Sequence, residues 1–248
     1  HRDLHSFPTR RSSDLQQGRE HSSGSLIRKN CEREFNFYQL NPIRMNIFYK
    51  PGLLTENHFL DREESEHAVR VLRLKKDDRI IIVNGKGDWG EAVLTTVRPG
   101  HCEYEIRNVI PGFGKRSYHL SIAVAPTKNA DRMEWFLEKA TEMGIDSYTP
   151  LCCRHSERKV LNTERLRKIA VAAMKQSLKA YIPEIHEMVP FGDFVKQPLT
   201  GAGFIAHCHT PDIPHLAKLV QKGSSTTILI GPEGDFTDEE VRLAIQYG

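Results

Sequence analysis

Residues 226–241 read TTILIGPEGDFTDEEV, and this stretch decides the fold of the chain around it. Its first part, 227–230, is β-branched and apolar without polar alternation, which is typical of a strand buried on both faces of a parallel sheet. The strand ends at a glycine-rich turn: Gly231, Pro232, Glu233 and Gly234. Thr237 and Glu240 predict a capping box, in which each side chain accepts a hydrogen bond from the other residue's backbone amide. The turn therefore lies at the carboxyl end of a central strand, where open α/β sheets bind ligands.

The charges around this turn argue against a phosphate ligand. Phosphate sites use the positive end of a helix and its backbone amides. Here carboxylates crowd the helix start: Glu233, Asp235, Asp238, Glu239 and Glu240. No Lys-Ser/Thr pair follows the glycines, and the spacing is not G-x-G-x-x-G. We expect a neutral or cationic ligand held mainly by backbone groups, while an ordinary tight turn before a well-capped helix is an equally good interpretation of the spacing.

The composition is typical of a soluble globular protein. Of the 248 residues, 39% are hydrophobic and 27% charged, which suits one large or two small domains. No run of 18 apolar residues occurs, so the sequence predicts no membrane span. The five cysteines include the adjacent Cys152 and Cys153. An odd number with this spacing favours free thiols in a reducing cytoplasm over a disulfide framework.

Residues 1–44 differ from the rest of the chain. They contain eight Lys and Arg against five Asp and Glu, so they account for the whole net charge of +3. They show neither apolar periodicity nor the apolar core of a secretory signal, although a transit peptide would share their Arg- and Ser-rich composition. We interpret 1–44 as a non-native or disordered leader, with Met45 as the natural start. The remainder is neutral, so a nucleic-acid surface on it must be a local patch.

The segment 45–114 is predicted to be a small β-barrel. Strands are expected at 46–49, 79–84, 91–98 and 102–110, with a glycine turn at 84–87. A helix over 63–74 would bury Ala68, Val71 and Leu72 on one face. Six basic residues cluster here: Arg70, Arg73, Lys75, Lys76, Arg79 and Lys86. They form either a solvated basic face or contacts to an RNA backbone, and both interpretations stay open.

After a linker at 111–114, the segment 115–248 alternates between strands and helices. Strands are predicted at 120–125, 147–152, 204–208 and 227–230. Helices are predicted at 131–143, 163–179 and 213–221, the first ended by Gly144 and the second before Pro183. This alternation indicates a parallel sheet with helices on both faces.

Three groups of residues could carry chemistry besides the turn. Two clusters have zinc-ligand types, His207-Cys208-His209 and Cys152-Cys153 with His155. Neighbours on a strand point to opposite faces and the C-x2-C spacing is absent, so no metal is predicted. Nothing marks a base for a cysteine nucleophile. The third group, Lys175, Gln176 and Lys179, lies on the polar side of the predicted 163–179 helix, either solvated or in contact with an anionic substrate.

Several separated motifs resemble those of the ribosomal RNA small subunit methyltransferase E family. They are NIFY at 46–49, HAVRVLR at 67–73, APTK at 125–128, DRMEW at 131–135, KATEMG at 139–144 and IGPEGDFT at 230–237. The resemblance spans 45–248. It implies a PUA-like β-barrel at 45–114, followed by a SPOUT-type knotted α/β methyltransferase domain at 115–248, acting as a homodimer. It also implies methyl transfer from S-adenosylmethionine to N3 of a uridine in 16S rRNA of the small ribosomal subunit, and a sulfonium cofactor suits the carboxylates.

The sequence departs from the family pattern in two places. Asp235 stands where the family often has a second glycine. The sequence ends at Gly248, whereas in the family a further strand, loop and helix follow, with a motif similar to L-G-x-x-I-L-R-x-E-T-A. We therefore expect the knot and the cofactor cleft to be incomplete in this chain.

The resemblance also suggests site residues. The cofactor is expected against two strand ends, at Ala206, His207, Leu229, Ile230, Gly231, Pro232, Glu233 and Gly234. Substrate RNA is expected at Arg70, Arg73, Lys86, Arg132, Arg154, Lys175, Gln176 and Lys179. Arg132, Arg154 and Lys179 would stabilise negative charge on the uracil oxygens, and no proton acceptor is assigned. A SPOUT methyltransferase for another RNA target, such as a ribose hydroxyl, and a non-catalytic RNA-binding protein remain as alternatives.

Overall fold

The structure, a computed structural model, describes residues 45–52, 58–209 and 214–247. The leader predicted at 1–44 lies outside these residues. The described residues form two sheets, one of four strands and one of six. In the described part of the chain, no helix is long and apolar enough to cross a membrane.

The smaller sheet contains the strands predicted for the barrel. In chain order they are β1 (Ile47–Tyr49), β2 (Arg79–Val83), β3 (Trp89–Arg98) and β4 (His101–Ile110), and they lie in the order β1-β2-β3-β4. β1 pairs with β2 in parallel, and the other pairs are antiparallel. The predicted turn between β2 and β3 is confirmed, with Gly85 and Gly87 at φ angles of 75° and 103°. Alternate apolar residues of these strands, such as Ile80, Ile82 and Leu94, form a core on one face.

The helix predicted at 63–74 is shorter than expected and changes its winding. An α-helix, α1 (Arg62–Glu66), continues into a π-helical turn at His67–Val71. In that turn the amide of Leu72 donates to the carbonyl of His67, five residues back, at 3.0 Å. The wider turn rotates the following side chains relative to an α-helix. Ala68 is buried as predicted, but Val71 is 65% exposed, so its predicted burial is wrong.

The larger sheet is parallel and holds the opening stretch at its centre. Its strands are β5 (Leu120–Val124), β6 (Ser147–Cys152), β7 (Glu184–Ile185), β8 (Val189–Pro190), β9 (Ala202–Ala206) and β10 (Thr226–Ile230). The main order is β7-β6-β5-β10-β9, and β8 also pairs with β6. β10 pairs with both β5 and β9, which confirms it as a central strand. β9 begins and ends two residues before the predicted 204–208.

Helices cover both faces of this sheet, as predicted. They are α2 (Ala130–Met143), α3 (Thr163–Gln176), α4 (Phe191–Phe194), α5 (Leu216–Leu219) and α6 (Asp238–Tyr247). Because strand neighbours point to opposite faces, Ile122 packs against α2 and α3, whereas Ala123 packs in the core with Phe191 and Val241 of α4 and α6. Of the helix predicted at 213–221, only Leu216–Leu219 is helical among the described residues. The predicted knot stays a prediction.

The ends of α2 and α3 follow their local sequences. Gly144 caps α2 with a φ angle of 98°, as predicted. α3 ends at Gln176, earlier than the predicted 179, because the Ser177 hydroxyl donates to the Ala173 carbonyl at 2.7 Å and Leu178 takes a φ angle of 55°. Leu178 is therefore 42% exposed instead of lying on the apolar face of the helix.

The two sheets share a core, so residues 45–248 form one compact unit. Residues of β1, β2 and β3 pack against the end of α3 and the segment after it: Ile47, Ile81, Val83 and Trp89 against Met174 and Ala180. Phe113, in the predicted linker, stacks on Trp89 with ring centroids 4.3 Å apart. Independent folding of 45–112, which the composition change predicts, stays a prediction.

Candidate active site

The glycine-rich turn lies at the carboxyl edge of the sheet, between two loops that follow neighbouring strands. Because Ile230 pairs with Val124 of β5 and with Ala206 of β9, the loops beginning at Ala125 and His207 emerge on either side of the turn. The amide of Ala125 donates to the carbonyl of Ile230 at 2.9 Å. The predicted cofactor residues at the two strand ends are thus brought together by the register of β9 and β10. Leu229 is only 2% exposed, so it can offer a ligand only its backbone.

The two glycines of the turn lie in close packing with neighbouring side chains. Neither Gly231 nor Gly234 has a positive φ angle. A Cβ atom on Gly234 would lie 3.3 Å from the Cβ atom of His155, and one on Gly231 would lie 3.0 Å from the ring of Phe236. Both distances are tighter than ordinary van der Waals contact. The glycines therefore let neighbouring groups approach the backbone, as in sites where a ligand lies against the main chain.

The left-handed residue of the turn is Asp235, with a φ angle of 63°. This conformation favours glycine, and Asp tolerates it better than most residues. Its carboxylate accepts from its neighbour, the amide of Phe236, at 2.7 Å and from the amide of Cys208 at 2.9 Å. Burial raises the pKa of Asp235, but these two backbone donors, together with the nearby His209 and His207, hold it below its ordinary value. The carboxylate thus ties the turn to the loop after β9.

Three histidines surround the turn, and their contacts distinguish them. The Nδ1 atom of His155 lies 3.1 Å from the carbonyl oxygens of Gly234 and Asp235. Since carbonyls only accept, Nδ1 carries the hydrogen and a neutral ring has its lone pair on Nε2. His207 accepts through Nδ1 from the amide of His209 at 3.2 Å. His209 uses both of its nitrogens, and His207 uses its Nδ1 lone pair for the amide of His209. His155 is therefore the one of the three whose outward nitrogen, Nε2, can accept a proton.

His209 binds the start of α6. Its Nε2 atom lies 2.7 Å from the carbonyl oxygen of Phe236, and its Nδ1 atom lies 2.8 Å from the carboxylate of Asp238. Together with Asp235, this histidine fixes the loop after β9 against the turn.

Two other side chains hold the remaining loops of this edge. Glu240 accepts from the amide of Thr237 at 2.9 Å, and its amide donates to the Thr237 hydroxyl at 3.2 Å, which confirms the predicted capping box. Its other oxygen accepts from the amide of Arg154 at 2.8 Å. Arg158 donates to the carbonyls of Thr127 and Lys128 at 3.2 and 2.5 Å. Nothing in the sequence marked Arg158, and His155 was marked only as a possible metal ligand, because the partners of both residues are distant in sequence.

The thiol of Cys153 is not a ready thiolate. Burial first, and then the Glu240 carboxylate, raise the pKa of Cys153 to about 12. The four described cysteines, Cys102, Cys152, Cys153 and Cys208, are free. Among the described residues, no group of three or more His, Cys, Asp and Glu side chains is arranged to hold a metal ion.

The structure scatters the residues that the sequence assigns to RNA. Lys175 forms a salt bridge with Glu64 of α1 at 2.6 Å, so its charge already has a partner, and its contact with RNA stays a prediction. α3 ends before Lys179, so the two lysines do not share a helix. Arg154 is exposed beside the turn, and Arg132 is exposed in the first turn of α2. The remaining members are also exposed: Arg70, Arg73, Lys86 and Gln176.

Two family profiles match this chain. The profile described as an RNA methyltransferase domain matches residues 115–248, which contain the parallel sheet and the turn. The profile described as an RNA methyltransferase PUA domain matches residues 60–106, which contain most of the smaller sheet.

Curated relatives carry the name ribosomal RNA small subunit methyltransferase E. The protein from Rickettsia conorii is 26% identical over 213 residues, covering 83% of this chain and 85% of that protein. The protein from Bacillus subtilis is 27% identical over 203 residues, covering 75% and 78%.

Solved structures share the fold. A probable rRNA-methyltransferase from Porphyromonas gingivalis is 34% identical, with a TM-score of 0.77, covering 82% of this chain and 87% of that one. A ribosomal RNA small subunit methyltransferase E from Neisseria gonorrhoeae, bound to S-adenosyl methionine, has a TM-score of 0.71 over 82% of this chain and 86% of that one. At 21% identity, this second likeness shows the fold alone.

Proposed function

This chain belongs to the RNA methyltransferase family, and on that premise we propose that it transfers a methyl group from S-adenosylmethionine to N3 of a uridine in 16S ribosomal RNA. The names of the curated relatives support ribosomal RNA of the small subunit as the substrate. The observation that carries the proposal is the close-packed glycine turn at the carboxyl end of β10, beside the strand end of β9. In parallel α/β sheets this is the place where cofactors bind.

The residues of the turn fit this cofactor. S-adenosylmethionine carries a positively charged sulfonium and no phosphate. A positive ligand suits the carboxylates at the start of α6, which are Asp238, Glu239 and Glu240. Backbone groups of Gly231 and Gly234, with the strand end at Ala206, would hold it. When bound, the cofactor supplies a methyl group on a positively charged sulfur.

The chain's own residues would position the uridine and manage its proton. N3 of uracil carries a weakly acidic imide proton, which must leave when N3 is methylated. We assign the acceptor role to His155, whose Nδ1 is held by two carbonyls of the turn and whose Nε2 lone pair faces away from them. The exposed guanidinium of Arg154, the neighbouring residue, would stabilise negative charge on the uracil oxygens.

The smaller sheet would bind parts of the RNA that lie outside the reaction centre. Arg70, Arg73 and Lys86 are exposed cations on or beside it, and they would contact phosphates. The motif resemblance supports a homodimer, and the free thiols support the cytoplasm as the compartment.

The test is methylation of unmodified small ribosomal subunits with labelled S-adenosylmethionine, followed by nucleoside analysis of the 16S RNA. N3-methyluridine is the expected product, together with cofactor binding in calorimetry. Cofactor binding together with a different methylated nucleoside would show that the enzyme modifies another RNA target. RNA binding without cofactor binding would leave a non-catalytic RNA-binding protein.

A further inference from the structure

A cavity of about 460 Å³ lies at the amino edge of the parallel sheet, away from the glycine turn. His119, Asp146 and Ser225, which line it, directly precede β5, β6 and β10. The rest of its wall comes from the linker, residues 115–118 between the linker and β5, the end of α2 and the segment after α3. Since β5 is five residues long, this cavity and the turn are separated by about 17 Å.

The wall of this cavity combines exposed apolar groups with cations. Met143 is 76% exposed and Tyr118 is 37% exposed, and both line it together with the exposed Leu178. Large apolar side chains left in water at one site mark a binding surface. Its volume falls within the about 300–1,000 Å³ typical of small-ligand sites.

Two lysines of the cavity are not neutralised by a carboxylate among the described residues. Among the described residues of its wall, Asp146 carries the one carboxylate, and it accepts from the Arg116 guanidinium at 2.7 Å and from the Leu120 amide at 2.7 Å, so its charge is already used. Lys115 and Lys179 also line the cavity, and neither forms a salt bridge with any residue that the structure describes. The site thus presents net positive charge.

Tyr118 is held in place for stacking. The guanidinium carbon of Arg116 lies 4.8 Å from the centre of the Tyr118 ring, a cation–π contact, while Asp146 fixes the same guanidinium. A fixed aromatic ring beside free lysines is the combination by which proteins bind unpaired nucleotides, the ring stacking on the base and the lysines contacting phosphates.

We propose that this cavity binds an unpaired nucleotide of the RNA substrate, with its base against Tyr118 and Met143 and its phosphates against Lys115 and Lys179. The inference rests on the proposed function for RNA as the partner, and it adds a second contact at the opposite edge of the sheet from methyl transfer. Lys86 extends the positive surface, because its backbone pairs with that of Tyr181 in the cavity wall. The RNA strand would thus be held between the smaller sheet and the parallel sheet.

The experiment measures binding of the complete chain to a fluorescent, uridine-rich single-stranded RNA over a range of salt concentrations. Lys115→Gln with Lys179→Gln is expected to weaken binding and to reduce the slope of log affinity against log salt by about 1.4, since each single-strand phosphate contact contributes about 0.7. Tyr118→Ala is expected to weaken binding about tenfold with the slope unchanged. The control, Lys168→Gln with Lys196→Gln, removes two exposed lysines outside the cavity and should change neither quantity.

The outcomes separate this inference from the proposed function. Cavity variants that bind RNA like the wild type would overturn the inference, even where cofactor binding and methylation are found. Loss of RNA affinity in the variants, with no cofactor binding in calorimetry, would keep the inference and overturn the proposed function. A wild-type chain that binds no single-stranded RNA would overturn the inference, whereas the proposed function would be overturned only by absence of methylation of small ribosomal subunits. Uridine monophosphate bound by the wild type and lost in the double lysine variant, with RNA affinity unchanged, would make the cavity a small-molecule site and overturn the RNA assignment.

Discussion

The Asp235 carboxylate accepts a hydrogen bond from the backbone amide of Cys208 at 2.9 Å, across 27 residues of chain. This contact joins the glycine turn to the loop that follows the neighbouring strand β9. A glycine at 235 would suit the left-handed backbone better, with its φ angle of 63°, but it could not make this contact. The chain therefore combines backbone strain with a side-chain bond at the candidate cofactor site.

The first prediction separates these two effects by substitution. Asp235→Ala keeps the strain and loses the bond, so we expect the free energy of unfolding to fall by about 1–3 kcal/mol. Asp235→Gly loses the bond but relieves the strain, so its loss should be smaller. Both should weaken cofactor binding, because the loop after β9 is released. Urea denaturation and calorimetry measure the two quantities, with the exposed Asp193→Ala as control. Equal destabilisation by Ala and Gly would contradict the role of strain.

The second prediction concerns pH. The pKa of Asp235 is lowered in the folded protein, so its charged form stabilises the fold above the ordinary value of 3.8. That contribution should be lost as the pH falls through the lowered pKa. The difference in unfolding free energy between the wild type and Asp235→Asn should therefore be constant at neutral pH and shrink below about pH 4. A difference that grows towards acid pH would contradict this assignment.

The third prediction concerns Gly234→Val. The backbone at this position does not require glycine, so the fold should survive, with a melting temperature a few degrees lower. The branched side chain would meet His155 and fill the space at the turn, so cofactor affinity should fall at least about tenfold. Adding His155→Ala should recover part of the stability, because it removes the partner of the clash. A loss of binding no larger than unfolding explains would indicate a turn without a ligand.

The fourth prediction tests His155 as the proton acceptor. His155→Gln keeps an N–H group that can donate to the turn carbonyls but removes the imidazole lone pair. We expect the methylation rate to fall at least about 100-fold while cofactor affinity is unchanged. The control is His186→Gln, because His186 follows β7, the edge strand at the opposite end of the sheet from β9. A His155→Gln enzyme with the wild-type rate and pH profile would exclude the role.

The fifth prediction concerns the shared core. A fragment 45–112 would expose the face of Trp89 that Phe113 covers, whereas a fragment 45–114 retains this ring. We expect both to fold, with 45–114 the more stable by about 1 kcal/mol, because an aromatic pair contributes about that much beyond its buried area. Urea denaturation followed by Trp89 fluorescence measures the difference. Fragments without dispersed NMR spectra would refute independent folding of this segment.

Local patterns in the sequence determined much of the fold. The apolar run of β10, the capping box of Thr237 and Glu240, and the αL cap at Gly144 each depend on residues within a few positions of one another. Such features can be predicted because their partners are neighbours in the chain. The motif resemblance likewise indicated the family, since motifs are also local.

Only the tertiary structure decided which distant groups meet. His155 contacts the carbonyl of Gly234 across 79 residues, and Lys175 pairs with Glu64 across 111. Periodicity indicates that a residue lies on a polar face, but strand order and register decide what lies opposite it. The sequence therefore placed Lys175 among the RNA contacts, whereas in the folded chain its ammonium lies 2.6 Å from the carboxylate of Glu64 of α1. The tertiary structure also brings the linker, the residues between it and β5, the end of α2 and the segment after α3 around one cavity, which no local pattern contains.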